Sequence, residues 1–114
     1  MQRKYRLKSS RAFSFIYNKG ESISDRLLVI LWVKNRDNNI KAGFTVSKKI
    51  GNSVVRNKIR RRLKEAFRAL IPEVDNGYNY IILARNPIKD ASYSEINQSL
   101  IRLLTKSGHL KAER

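Results

Sequence analysis

Apolar positions change period several times along this chain, and each change marks an element. Ala12, Phe13, Ile16 and Tyr17 share a face at helical spacing, with Ser9 or Ser10 to cap the start and Gly20 to stop the end. Leu27 to Lys34 is rich in β-branched and aromatic residues and reads as a strand. Asn35-Arg36-Asp37-Asn38-Asn39 has the composition of a hairpin turn. From Ile40 to Ser47 the chain alternates, which puts Ile40, Ala42, Phe44 and Val46 on one face of a half-buried strand. Residues 21–26 add a short strand before these two.

Helical spacing returns at Val55, Ile59, Leu63, Ala66, Phe67 and Leu70, after the loop Lys48-Lys49-Ile50-Gly51 and a cap at Asn52. Pro72 closes this helix, and Asp75-Asn76-Gly77 is a turn. Tyr78 to Ala84 is almost continuously apolar, as expected of a central strand buried on both faces. Ser92-Tyr93-Ser94-Glu95 forms a capping box, and Ile96, Leu100, Leu103 and Leu104 are the stripe of a last helix ending near Gly108. The predicted order is α-β-β-β-α-β-α, an α+β fold with one open sheet and helices against it. No repeat or long linker divides the 114 residues, so residues 1–114 are expected to form one domain. Residues 1–8 read as a basic arm, extended or frayed, and residues 109–114 as a loose tail.

Charge changes this picture from a generic small domain to a polyanion binder. The formal net charge is +16 and the isoelectric point is near 10.7. The positive charge is concentrated on the second predicted helix. At about 100° per residue, Arg56, Asn57, Arg60, Arg61, Lys64 and Arg68 occupy the arc next to the apolar stripe. Lys58 and Arg62 flank the stripe on its other side, and Glu65 is the sole acid within the segment. Like charges such as Arg56/Arg60/Lys64 repel at i,i+4 spacing. Contact with phosphates would offset that cost and release counterions.

The remaining composition excludes several classes. No stretch approaches the roughly 20 apolar residues of a membrane span. The basic start lacks the apolar region of a signal peptide. Cysteine is absent, so disulfides and thiolate sites are excluded. These features read as a cytoplasmic protein. The nine acidic residues are scattered over predicted turns and helix ends, without metal-ligand spacing. The single histidine, His109, reads as a solvated residue near a helix end. A Walker-type glycine loop is also missing. Catalytic and metal-ligating residues are therefore expected to be absent.

The segment Arg56-Asn57-Lys58-Ile59-Arg60-Arg61-Arg62-Leu63-Lys64-Glu65-Ala66-Phe67-Arg68 resembles the Arg-Asn-Arg signature helix of the bacterial ribonuclease P protein subunit. Gly43-Phe44-Thr45-Val46-Ser47-Lys48-Lys49-Ile50-Gly51-Asn52 is similar to that family's strand and loop before the helix. So are Leu7-Lys8 with Phe13, Tyr17 and Gly20, and Tyr80-Ile81-Ile82-Leu83-Ala84-Arg85. Four blocks in the right order span nearly the whole chain.

The resemblance implies a two-layer α/β sandwich like the second domain of ribosomal protein S5, with a left-handed β-α-β crossover. It implies an accessory role: a catalytic RNA removes the 5′ leader of precursor tRNA with Mg²⁺ held mainly by RNA. The protein would bind that RNA and the leader, with no obligate protein partner and no membrane. Residue by residue, the resemblance assigns Lys48, Lys49, Arg56, Asn57, Lys58, Arg60, Arg61, Lys64 and Arg68 to the catalytic RNA. It assigns Phe13 and Tyr17 to a leader groove between the first helix and the sheet. Lys58 stands where the family often has Arg. Leu31 stands where the family often lends a groove aromatic, with Trp32 beside it. Strand alternation sends Leu31 and Trp32 to opposite faces, so one of the two is expected to line the groove.

Two other classes fit parts of the sequence. A generic basic RNA-binding scaffold, such as a ribosomal protein, explains the charge but not the four blocks. A DNA-reading helix needs a helix-turn-helix partner or a dimer, and strands flank the basic helix instead. Asn57 has two readings: an amide that meets a base edge or ribose hydroxyl, or one that bonds back and fixes the helix start.

Overall fold

The structure is a computed structural model, and it describes residues 2–111. Three helices, α1 (Ser10–Lys19), α2 (Ser53–Leu70) and α3 (Tyr93–Lys106), surround a four-stranded sheet. Its strands are β1 (Glu21–Ser24), β2 (Leu28–Lys34), β3 (Ile40–Thr45) and β4 (Tyr78–Ala84), in the order β1-β2-β4-β3. β1–β2 and β2–β4 are antiparallel, and β3–β4 is parallel. Parallel neighbours need a crossover, and α2 provides it.

Local signals set the helix ends. Ser9 Oγ accepts the Ala12 N–H, and Asn52 Oδ1 accepts the Val55 N–H. Ser92 and Glu95 exchange the two bonds of a capping box. Gly77 and Gly108 turn the chain at positive φ, 85° and 81°.

Both faces of β4 are covered, as its apolar run predicts. On one face, Tyr80 and Ile82 join Leu28, Ile30, Ile40 and Ala42 against the buried stripes of α2 and α3. Those stripes include Leu63, Phe67, Leu100 and Leu104. On the other face, Ile81 and Leu31 pack with Ile16 of α1 and Leu7. The two-layer expectation is thereby corrected. α1 lies on the sheet face opposite α2 and α3, so the section through it has three layers. A helical stripe shows that a helix face is buried, not which side of the sheet buries it.

The described residues near both chain ends are more ordered than expected. Arg3–Tyr5 form a short 3₁₀ turn, Arg6 bridges to Ala42, and the Leu7 N–H donates to the Ala42 carbonyl at 3.0 Å. The arm thus covers part of the outer edge of β3, where unpaired strand groups need partners. At the other end, Leu110 bridges to Val74, and the His109 carbonyl accepts the Asp75 N–H. His109 is buried rather than solvated, at 5% exposure. Its ring sits edge-on to Trp32 and Tyr78, and Nδ1 lies 3.0 Å from Tyr80 Oη. Aromatic walls and a hydroxyl partner account for burying an imidazole. The expected loose residues 112–114, and Met1, lie outside the described residues.

Candidate nucleic-acid interface

A groove of about 340 Å³ opens between the N-terminal segment, α1, β3 and α2. One wall is aromatic. Phe13, on the inner side of α1, lies across Gly43 in the middle of β3: an added Cβ there would stand 2.3 Å from Phe13 Cζ. A glycine inside a strand often marks such a close approach. Phe44 lines the same groove while packing edge-on to Phe67 from α2. Tyr17, one turn after Phe13, is 46% exposed.

The opposite wall is cationic. Arg60 and Lys64, one turn apart on α2, face Arg6 and Lys8 from the arm. The Arg60 guanidinium donates to Asn57 Oδ1 at 2.7 Å. Neither reading of Asn57 anticipated this bond, which orients a cation. Lys64 is held below the ordinary lysine range, first by burial and then by the charges of Arg6 and Arg60. A site that crowds cations while partly drying one of them is suited to an anion.

The expected sites are therefore grouped differently in space. Arg60 and Lys64 belong to the wall opposite Phe13, rather than wholly to an outward arc. Lys48, Lys49, Asn57, Lys58, Arg61 and Arg68 are exposed along the loop and the outer side of α2. Arg56 is half-buried, and its Nε is buried with no acceptor among the described residues. Arg68 meets Glu65 at 3.3 Å, but both side chains are 55% exposed, so the pair contributes little.

Leu31 lies on the α1 face, in one cross-strand row with Ile81 and Gly43. Trp32 points to the other face and packs against His109, which removes it from the groove. Sequence reasoning missed Arg6, Lys8 and Phe44. The first two sat in a segment with no hydrophobic period. Phe44 was assigned to the core by its alternation, and it is only half-buried.

Metal does not fit the described residues of this chain. No three of their His, Asp or Glu side chains come together. The most engaged carboxylate, Asp25, already accepts from the Leu27 and Leu28 N–H groups, Ser99 Oγ and Arg102. Glu95 is used by its capping box.

Comparisons with known proteins show the family and its fold. The family described as Ribonuclease P matches residues 1–108. The ribonuclease P protein component of Oceanobacillus iheyensis is 40% identical over 115 aligned positions, covering 100% of this chain and 95% of the relative. The solved Staphylococcus aureus RNase P protein is 34% identical, with a TM-score of 0.87 over 93% of this chain and 97% of that one. The Thermotoga maritima RNase P protein is 26% identical, with a TM-score of 0.82 over 89% and 96%. The chain belongs to the ribonuclease P protein family, the accessory subunits of a ribonucleoprotein whose RNA cleaves the leader from precursor tRNA.

Proposed function

We propose that the groove between α1, β3 and α2 holds the single-stranded 5′ leader, while the outer side of α2 docks on the catalytic RNA. One observation carries this reading: Phe13 on one wall faces Arg60 and Lys64 on the other. Aromatic faces stack on unpaired bases of any sequence, worth roughly 1–3 kcal/mol per base. The cations opposite them meet the backbone phosphates. Such a groove takes a leader whose sequence varies among precursors. Phe13 and Tyr17 form its apolar side, with Leu31 in the buried cluster behind it, and Arg60 and Lys64 form its charged side. Lys48, Lys49, Arg56, Lys58, Arg61 and Arg68 contact the catalytic RNA, and Asn57 holds Arg60 in place.

The Mg²⁺ of the holoenzyme then sits with RNA phosphates. The same reading carries a left-handed β3–α2–β4 crossover of the ribosomal protein S5 kind, a cytoplasmic location, and no obligate protein partner. Among the described residues, no helix is long and apolar enough to cross a membrane.

The test is cleavage of precursor tRNA by a bacterial ribonuclease P RNA at low Mg²⁺, with and without the protein. Cleavage that needs both components supports the accessory reading. Tight RNA binding without stimulation favours a generic scaffold, and cleavage by the protein alone overturns the borrowed chemistry.

A further inference from the structure

We propose that the leader track continues round the start of α1 to a second aromatic station, Phe15, which takes the further nucleotides of a longer leader. This rests on the leader-groove reading above and extends it. Three cavities join end to end. The first holds Phe13 and shares Arg6, Leu7 and Lys8 with a second beneath the start of α1. The second shares Ser9, Ala12 and Asn79 with a third on the far side of the helix. One row of the sheet, Lys41–Asn79–Val33, floors the second and third cavities. It crosses two strand spacings, about 10 Å.

The third cavity is mostly apolar, formed by Ala12, Phe15, Ile16 and Val33, with Arg11 and Lys34 at its rim. Phe15 is 53% exposed and belongs to neither core cluster, so folding does not account for an aromatic there. Charge decides the occupant. No Asp or Glu lines any of the three cavities, while Arg3, Lys4 and Lys41 line the middle one. A cationic passage between two aromatic stations matches a single strand, whose phosphates follow the charge while its bases stack.

The test measures holoenzyme affinity for precursor tRNAs whose leaders lengthen one nucleotide at a time. Affinity should rise in two stages, and the readout is the ratio of long-leader to short-leader affinity. Phe15→Ala should lower that ratio about fivefold or more, Phe15→Tyr should retain it, and Arg11→Gln with Lys34→Gln should reduce it. An unchanged ratio in Phe15→Ala overturns the extension, and so does an equal loss at every length. The two readings fail separately. If Tyr17→Ala weakens short leaders while Phe15→Ala leaves the ratio alone, only the extension falls. If neither substitution acts at any length, the leader groove falls with it.

Discussion

Phe13 lies directly over Gly43, where a side chain's first carbon would stand 2.3 Å from the ring. Gly43→Ala must therefore push the ring off the strand or spread α1 from the sheet. Overpacking of this kind costs about 1–3 kcal/mol. Precursor affinity should fall as the aromatic wall moves, and urea denaturation should show the stability loss. Phe13→Leu in the same chain should recover part of the stability but not the affinity, since the two sites are in contact and their effects do not add. Unchanged affinity in Gly43→Ala would mean that the ring position does not matter for binding.

Tyr17 offers a cleaner probe, because half of it faces solvent. Tyr17→Ala should leave the melting temperature nearly unchanged. It should weaken precursor binding by about 1–3 kcal/mol and leave mature tRNA unaffected. Equal loss for both RNAs would assign Tyr17 to docking rather than to the leader.

The basic helix and its partner strand were legible because each carries a strong period. The stripe from Ile59 to Phe67 and the apolar run of β4 are both buried as their patterns require. Alternation also separated Leu31 from Trp32, though only the placement of α1 decides which of them lies on the α1 face of the sheet. Arg6 and Lys8 were not legible as groove residues. A 3₁₀ turn and a single bridge leave no period to read. His109 was misread for a related reason: one residue after a positive-φ glycine has no pattern, and its burial depends on Trp32, Tyr78 and Tyr80 far away in sequence.

Arg61 is exposed on the outer side of α2. If it neutralises a phosphate of the catalytic RNA, Arg61→Ala should reduce the slope of log affinity against log salt by about one. The same substitution should not alter discrimination between precursor and mature tRNA, because Arg61 does not line the groove. Titrating RNA binding across salt concentrations reads both; an unchanged slope removes Arg61 from the interface.

Asp25 ties the β1–β2 turn to α3. Burial raises its carboxyl, but hydrogen bonds from Ser99, Leu28, Arg102 and Leu27 outweigh that and hold it below 3.8. A carboxylate whose folded value is depressed stabilises the fold above its unfolded value and loses that contribution as pH falls through the folded one. Asp25→Asn should destabilise the protein at neutral pH by about 1–3 kcal/mol. The gap between the two proteins should close in acid, below 3.8. Urea denaturation at neutral and acid pH measures it, and a constant gap would deny the carboxylate its role.

Lys64 gives the groove a signature in the opposite pH range. Its ammonium is disfavoured in the free protein by burial, then by Arg6 and Arg60. A bound phosphate restores the charged form, so its bound pKa lies above its free one. Affinity is then full below the free value and declines as pH rises from it toward the bound value, starting below the ordinary 10.5. Arginine in the same place stays protonated throughout. Lys64→Arg should remove this part of the alkaline decline, and a leader of deoxynucleotides, stable to alkali, allows the comparison. If both proteins lose affinity identically with pH, no phosphate sits at Lys64, and the cationic wall must be moved from the leader to another partner.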